Sequence, residues 1–164
     1  MTLKINIIGC GRAASSLAKL WIQADSLQIA DILNRAPASA MRAVDDLSAG
    51  SARGSLEEMG PAEIWLIGTG DHQIADVAGR LAASGHDLAD TLVFHLAGRF
   101  GLDVLAPLAQ RGARLAALHP VRSLTHERLS LADFRGTACV AEGAPDALAA
   151  LKPLVTTIGG SWLP

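Results

Sequence analysis

Two cysteines, Cys10 and Cys139, are all that the 164 residues contain. That is too few for a disulfide framework, and neither stands in metal-ligand spacing, so a disulfide scaffold and a zinc module are both disfavoured. No pair of histidines has the i, i+4 spacing of a helical metal site, and no metal ligand is expected. Excess charge is lacking too. Fourteen Lys and Arg against sixteen Asp and Glu leave a net charge of −2, which gives no reason to expect nucleic acid or an anionic membrane as partner. No apolar run approaches the roughly 20 residues needed to span a bilayer. A strand pattern starts at the third residue, where a signal peptide would place a charged and then an apolar segment. A reducing cytoplasm is the expected location. The chain has no G-x-S-x-G elbow, no P-loop lysine, no internal repeat and no low-complexity tract.

What is present is a chain half hydrophobic and long enough for one domain with a real core. Residues 4–14 read Lys-Ile-Asn-Ile-Ile-Gly-Cys-Gly-Arg-Ala-Ala: a short apolar strand, a glycine-rich turn, then the start of a helix. This is how a dinucleotide-binding unit opens. Gly9 makes the tight turn, Gly11 lets the backbone approach a pyrophosphate, and Ala14 keeps the helix close to the strand. With Cys10, Arg12 and Ala13 they form a candidate phosphate cradle, because the free amides and positive dipole end of a helix favour an anion.

The following helix carries Ala14, Leu17, Ala18, Trp21 and Ile22 as one apolar stripe. A strand is expected at 27–33, a helix at 37–47 with Met41, Val44 and Leu47 on one side, and a flexible connection at 50–54. Ser55 and Glu58 have capping-box spacing for a very short helix. The apolar run 63–68 reads as a strand covered on both faces. Asp71 is expected to cap a helix carrying Ile74, Val77, Ala78 and Leu81, closed by Gly85. Strand 91–96, a helix with Leu102, Leu105 and Leu108, and strand 114–118 stopping at His119-Pro120 come next. Residues 121–134 read as an irregular loop, then a strand at 136–141, a helix at 144–158 and an edge strand at 161–163. Strand and helix alternate throughout, so the expectation is one doubly wound, mainly parallel α/β domain covering residues 1–164.

In such a sheet ligands bind beyond the carboxyl ends of the strands. Those ends carry Gly9 to Arg12, then Asn34 and Arg35, then Gly68, Thr69 and Gly70, then His95, and finally His119. Asn34-Arg35 bears on the cofactor: an acid at the second strand tip would bind the ribose hydroxyls of NAD, whereas an arginine pairs with the 2′-phosphate of NADP. Asp31 satisfies the usual spacing but falls inside the strand, so NADP is expected, with NAD as the alternative. His95 and His119 are candidate catalytic groups, since histidine changes charge near neutral pH. His72, His86 and His126 are given no role.

These segments together resemble a known family. The run 4–14, Asn34-Arg35, His95 to Gly98, the 119–123 segment beginning His-Pro, Phe134 to Gly136, 141–143 and 154–160 occur in the order seen in Rossmann-like NADP oxidoreductases that carry a C-terminal helical domain. That family is related to deazaflavin-dependent NADP oxidoreductases and pyrroline-carboxylate reductases. The resemblance implies a Rossmann-like NAD(P)-binding domain of an oxidoreductase of unspecified substrate. Two departures stand out: the family's His-Thr-Ser-Gly segment here has leucine and Ala97 before Gly98, and no helical domain follows the sheet before Pro164. An incomplete active site is therefore expected, and a non-enzymatic cofactor-binding or sensor module is the alternative. A methyltransferase would want an acid where Asn34 stands. Self-association through the C-terminal strand and helix, burying Trp162, is expected as well.

Overall fold

A computed structural model describes residues 2–124 and 128–164, so His126 lies outside the described residues. The elements run β1 (Lys4–Ile8), α1 (Arg12–Gln23), β2 (Gln28–Leu33), α2 (Pro37–Leu47), β3 (Ser51–Arg53), β4 (Ile64–Ile67) and α3 (Ile74–Ala82). They continue as β5 (Leu92–His95), α4 (Ala106–Ala109), β6 (Arg114–Pro120), α5 (Leu131–Phe134), β7 (Ala138–Gly143), α6 (Pro145–Thr156) and β8 (Ser161–Leu163). The strands form one sheet in the order β3-β2-β1-β4-β5-β6-β7-β8. The first six in that order are parallel, β7 is antiparallel to β6, and β8 runs parallel to β7. The expected mainly parallel, doubly wound α/β domain is what forms.

Period-two alternation sends side chains to opposite faces, each with its own core. Ile5, Ile7, Ile64, Leu66, Leu92 and Phe94 face α1, α2 and α6, where Leu17, Trp21, Ala40 and Leu151 meet them. Trp65, Ile67 and Val93 face the other way, against Val77 and Leu81 of α3 and Leu105 and Leu108. Trp21 Nε1 donates to the Leu154 carbonyl at 2.9 Å, tying α1 to α6 across 133 positions of sequence.

Between β1 and β2 the register shifts by one residue, from Ile5↔Ile29 to Ile7↔Ile32. Asn6, fully buried in the middle of the apolar β1, fills this bulge. Its Oδ1 accepts the Asp31 amide at 3.0 Å and its Nδ2 donates to the Gly60 carbonyl at 2.8 Å. A buried amide with its polar atoms paired can specify register where an apolar residue would not.

Several local expectations need correction. Residues 50–54 are not merely a connection, because Ser51–Arg53 adds β3 to the sheet edge through backbone pairing with Asp31, Ile32 and Leu33. Met41 is 60% exposed and Ala40 takes its place in the core. Asp71 does not cap α3. It opens a 3-10 turn, Asp71–Gln73, with Gly70 before it. α3 ends at Ala82 rather than at Gly85, and the Arg111 guanidinium holds the carbonyls of Ala82, Ser84 and His86. Leucines at 102, 105 and 108 are spaced by three, which matches the tighter 3-10 period, and the segment forms a 3-10 turn running into the four-residue α4. The 121–134 stretch contains α5, started by a capping box between Ser130 and Asp133. β7 begins at Ala138 and reaches Gly143.

Candidate functional site

The carboxyl ends of β1, β2 and β4 meet at a cleft of about 880 Å³. Gly9 turns the chain at φ +84°, and a Cβ there would lie 2.5 Å from Thr69 Cγ2 and 2.6 Å from the Thr69 amide nitrogen. Gly68 is equally confined: its Cβ would fall 2.5 Å from the Gly9 carbonyl and 2.8 Å from Ala14 Cβ. The two turns therefore interlock through glycines and through the backbone bond from Gly68 N to Ile8 O, while Gly9 N bonds to Leu33 O at the end of β2. Gly11 differs. Its φ is −83°, and the nearest protein atom to an added Cβ is 3.7 Å away. Its missing side chain keeps the cleft floor open and is not forced by packing.

Gly11 is also the N-cap of α1, and no side chain caps this end. The first-turn amides of a helix have no intrahelical partner, so they are available to an anion. The Thr69 hydroxyl, on the β4 side, is buried with no hydrogen-bond partner among the described residues. An open glycine floor, an uncapped helix end and an unpaired hydroxyl suit a phosphate-containing ligand. Arg12 and Ala13 occupy the first turn of α1 but are not among the residues lining the cleft.

Asn34 binds the second strand tip to the glycine turn. Its Oδ1 accepts the Cys10 amide at 2.7 Å, and its Nδ2 donates to Ser39 Oγ at 2.8 Å. Arg35 beside it is exposed and lines the cleft. Asp31 sits behind the tip, 6% exposed, where its carboxylate accepts from Arg53 Nε at 3.0 Å and from the Gly60 amide at 2.6 Å. It lies inside the strand, as its position in the pattern implied. Burial pushes the Cys10 thiol up to about 11, with Asp46 adding to the rise and Lys19 opposing it. The thiol is neutral at physiological pH.

Five strand ends were expected to converge. Those of β1, β2 and β4 line the cleft, while His95 and His119 lie beside it on β5 and β6. His95 is fully buried, with Nδ1 accepting the Ala97 amide at 3.0 Å and Nε2 donating to the Gly101 carbonyl at 2.8 Å. Both nitrogens are thus committed to shaping the 96–101 loop. His119 does not terminate its strand; it lies within β6, opposite Val140. Its ring is exposed and packs over Gly98.

Sequence reasoning missed Asn6, whose signal was a polar residue in the middle of an apolar strand. It also missed Ser39 and the far wall formed by Leu56, Gln73, Val77 and Arg80. Ser39 and Arg80 look like ordinary helix-surface residues in sequence, and only the fold brings them to the cleft.

No curated protein matches the sequence. Solved structures do match in fold. A Bacteroides fragilis protein described as an NADP oxidoreductase superposes with a TM-score of 0.78 at 20% identity, over 99% of this chain and 60% of its own. Prephenate dehydrogenase from A. aeolicus, in complex with hydroxyphenyl propionate and NAD+, gives 0.75 at 18% identity, over 99% and 59%. An imine reductase from Myxococcus stipitatus in complex with NADP+ gives 0.71 at 14%, over 98% and 54%. The chain therefore spans little more than half the length of these proteins. Residues 1–120 match the Rossmann-like domain model, and the chain belongs to the Rossmann-like domain family.

Proposed function

We propose that this domain binds a nicotinamide dinucleotide in the cleft, NADP in preference to NAD, as the cofactor-binding part of an oxidoreductase. The observation that carries this reading is the cradle formed by Gly9, Gly11 and Gly68 at the uncapped start of α1. Cys10 and Thr69 line it, Arg12 and Ala13 lie in the first helical turn behind it, and Gly70 closes the β4 side. Similar folds in complex with NAD+ and with NADP+ support a dinucleotide without choosing between them.

The preference for NADP rests on Asn34 and Arg35. Asn34 is held by the Cys10 amide and Ser39, leaving the Arg35 guanidinium exposed at the strand tip for a 2′-phosphate. Asp31, the acid that would favour NAD, is engaged by Arg53 and Gly60. Bound NADP would supply hydride transfer, and a neighbouring side chain would hold or move the accompanying proton. His119 suits that task, because its ring is exposed and no described residue hydrogen-bonds to it. His95 is a loop-shaping residue in this scheme.

A specific observation favours the second reading, a binding module without turnover. His95 has both nitrogens occupied, and Ala97 offers no hydroxyl, so His119 stands alone beside the cleft. Self-association along the β8 edge belongs to either reading.

Calorimetric titration with NADPH and NADH tests the proposal. A ligand at 100 times its dissociation constant should stabilise the fold by about 2.7 kcal/mol. No binding signal and no melting shift at saturating NADPH would end the cofactor reading. Turnover across a carbonyl and imine panel would end the non-enzymatic one.

A further inference from the structure

Resting on that reading, we propose that Arg80 is a cofactor-contacting residue that forms one wall of the adenosine end of the cleft and stacks on the adenine base. From the glycine turn the cleft runs past Leu33 to a wall made by Leu56, Gln73, Val77 and Arg80. No phenylalanine or tryptophan lines it, and the chain has no tyrosine. A purine presents two flat faces, which proteins cover with aromatic rings or with guanidinium planes. The broad planar side chains available in this lining are the guanidinium groups of Arg35 and Arg80. They come from different elements, the tip of β2 and α3.

Arg80 is well placed for this. Val77, three positions earlier and therefore on the same side of the helix, is 2% exposed and supplies an apolar floor. Asp76 Oδ2 accepts from Arg80 Nε at 3.1 Å. The contact engages Nε alone and leaves the Arg80 side chain 59% exposed. It also neutralises the charge, which suits an uncharged base better than a phosphate. An exposed i, i+4 pair of this kind does little for the helix itself. Arg35 and Arg80 then divide the work: Arg35 reads the 2′-phosphate, and Arg80 holds the base common to both dinucleotides.

The test is calorimetry on the whole chain with NADPH, NADH and ADP, for wild type, Arg80→Ala and Arg80→Lys. Arg80→Ala should weaken all three ligands by about 10-fold and leave the melting temperature of the free protein unchanged. Arg80→Lys keeps the charge but lacks the plane, and it should bind as weakly as Arg80→Ala. Wild-type affinity in either variant, or a loss confined to NADPH, would overturn the assignment. If wild type bound ADP but neither dinucleotide, and Arg80→Ala lost ADP, the cofactor reading would fail while the base-stacking role of Arg80 stood. No nucleotide binding at all would overturn both.

Discussion

The imidazole of His119 lies directly against Gly98: a Cβ added at Gly98 would sit 2.8 Å from both Cε1 and Nδ1 of the ring. These residues are 21 positions apart and come from β6 and the loop after β5. The loop is in turn held by the two hydrogen bonds of buried His95. One histidine thus shapes the seat on which the other rests.

Gly98→Ala should displace the ring and leave the backbone in place, because the His119 side chain is exposed and free to swing. Stability should change by no more than about 0.5 kcal/mol. If His119 transfers a proton, His119→Ala should lower kcat by about 10²–10⁴ with cofactor affinity intact, and Gly98→Ala by a smaller factor. Paired kinetics and cofactor titration check both. A loss of cofactor affinity in His119→Ala would move that residue from chemistry to binding.

The glycines of the turn should separate into two kinds. Gly9→Ala places an L-residue at φ +84° and drives its Cβ against the Thr69 backbone. A cost of about 3 kcal/mol follows, or a melting temperature lower by about 6–12 °C for a chain of this size. Gly11→Ala meets nothing nearer than 3.7 Å. Its melting temperature should stay near wild type while nucleotide affinity falls at least about 10-fold, because the methyl enters the space a pyrophosphate needs. Thermal melts of both variants, with one NADPH titration of Gly11→Ala, decide the matter.

Cofactor preference should follow the β2 tip. Arg35→Ala should reduce NADPH affinity by about 10- to 100-fold and leave NADH unchanged, since the lost contact is to the 2′-phosphate alone. Asn34→Asp retains an acceptor for the Cys10 amide but puts a negative charge at the tip and removes the donor to Ser39. It should move the preference towards NADH. Wild-type protein that binds NADH as well as NADPH would sink the NADP assignment.

Alkali should destabilise the fold through its thiols. Burial raises both Cys10 and Cys139 from 9.0 to about 11. Between those values the unfolded chain has lost the protons that the folded chain retains. Stability therefore falls as pH rises from 9 to 11, by at most about 1.4 kcal/mol per pH unit for each thiol. Denaturant titrations at pH 8, 9, 10 and 11 should show a shallower decline when Cys10→Ser and Cys139→Ala are combined. Identical slopes in variant and wild type would count against thiolate desolvation as a cause.

Self-association should depend on Val140 and Leu163, each 46% exposed and facing each other in register on β7 and β8. Trp162, expected to be buried by a partner, already packs against the protein's own core. Val140→Asp with Leu163→Asp should shift the sedimentation profile to monomer. A wild type that is already monomeric at micromolar concentration would remove the association itself.

The fold was legible in sequence wherever one signal dominated. Apolar runs marked the covered strands, and the glycine turn identified the entry to the cleft. β3 was hidden because three residues, Ser51 to Arg53, are held by backbone pairing and an ion pair to Asp31, which leave no hydrophobic pattern. β6 was cut short because Pro120 reads as a stop. Its pairing to β5 ends at Ala117, however, so the proline lies where the strand bonds only to β7 and its missing donor costs nothing. At the site, Asn34 and Arg35 were found because strand-tip chemistry is local. Ser39 and Arg80 reach the cleft only through the packing of α2 and α3, which no short window of sequence encodes.

The reversal of direction at β7 has a practical consequence. β8 runs against the parallel strands, but Leu163 pairs with Val140 and Val140 with His119. The last strand therefore stays level with the carboxyl ends of the parallel strands, on the cleft side of the sheet. A fluorophore or affinity handle attached at Thr2, just ahead of β1, would hang from the opposite end of the sheet, whereas one at Pro164 would sit on the cleft side. Surface immobilisation through Thr2 should leave the nucleotide entrance facing solution, which makes that position the suitable one for biosensor measurement of the affinities discussed above.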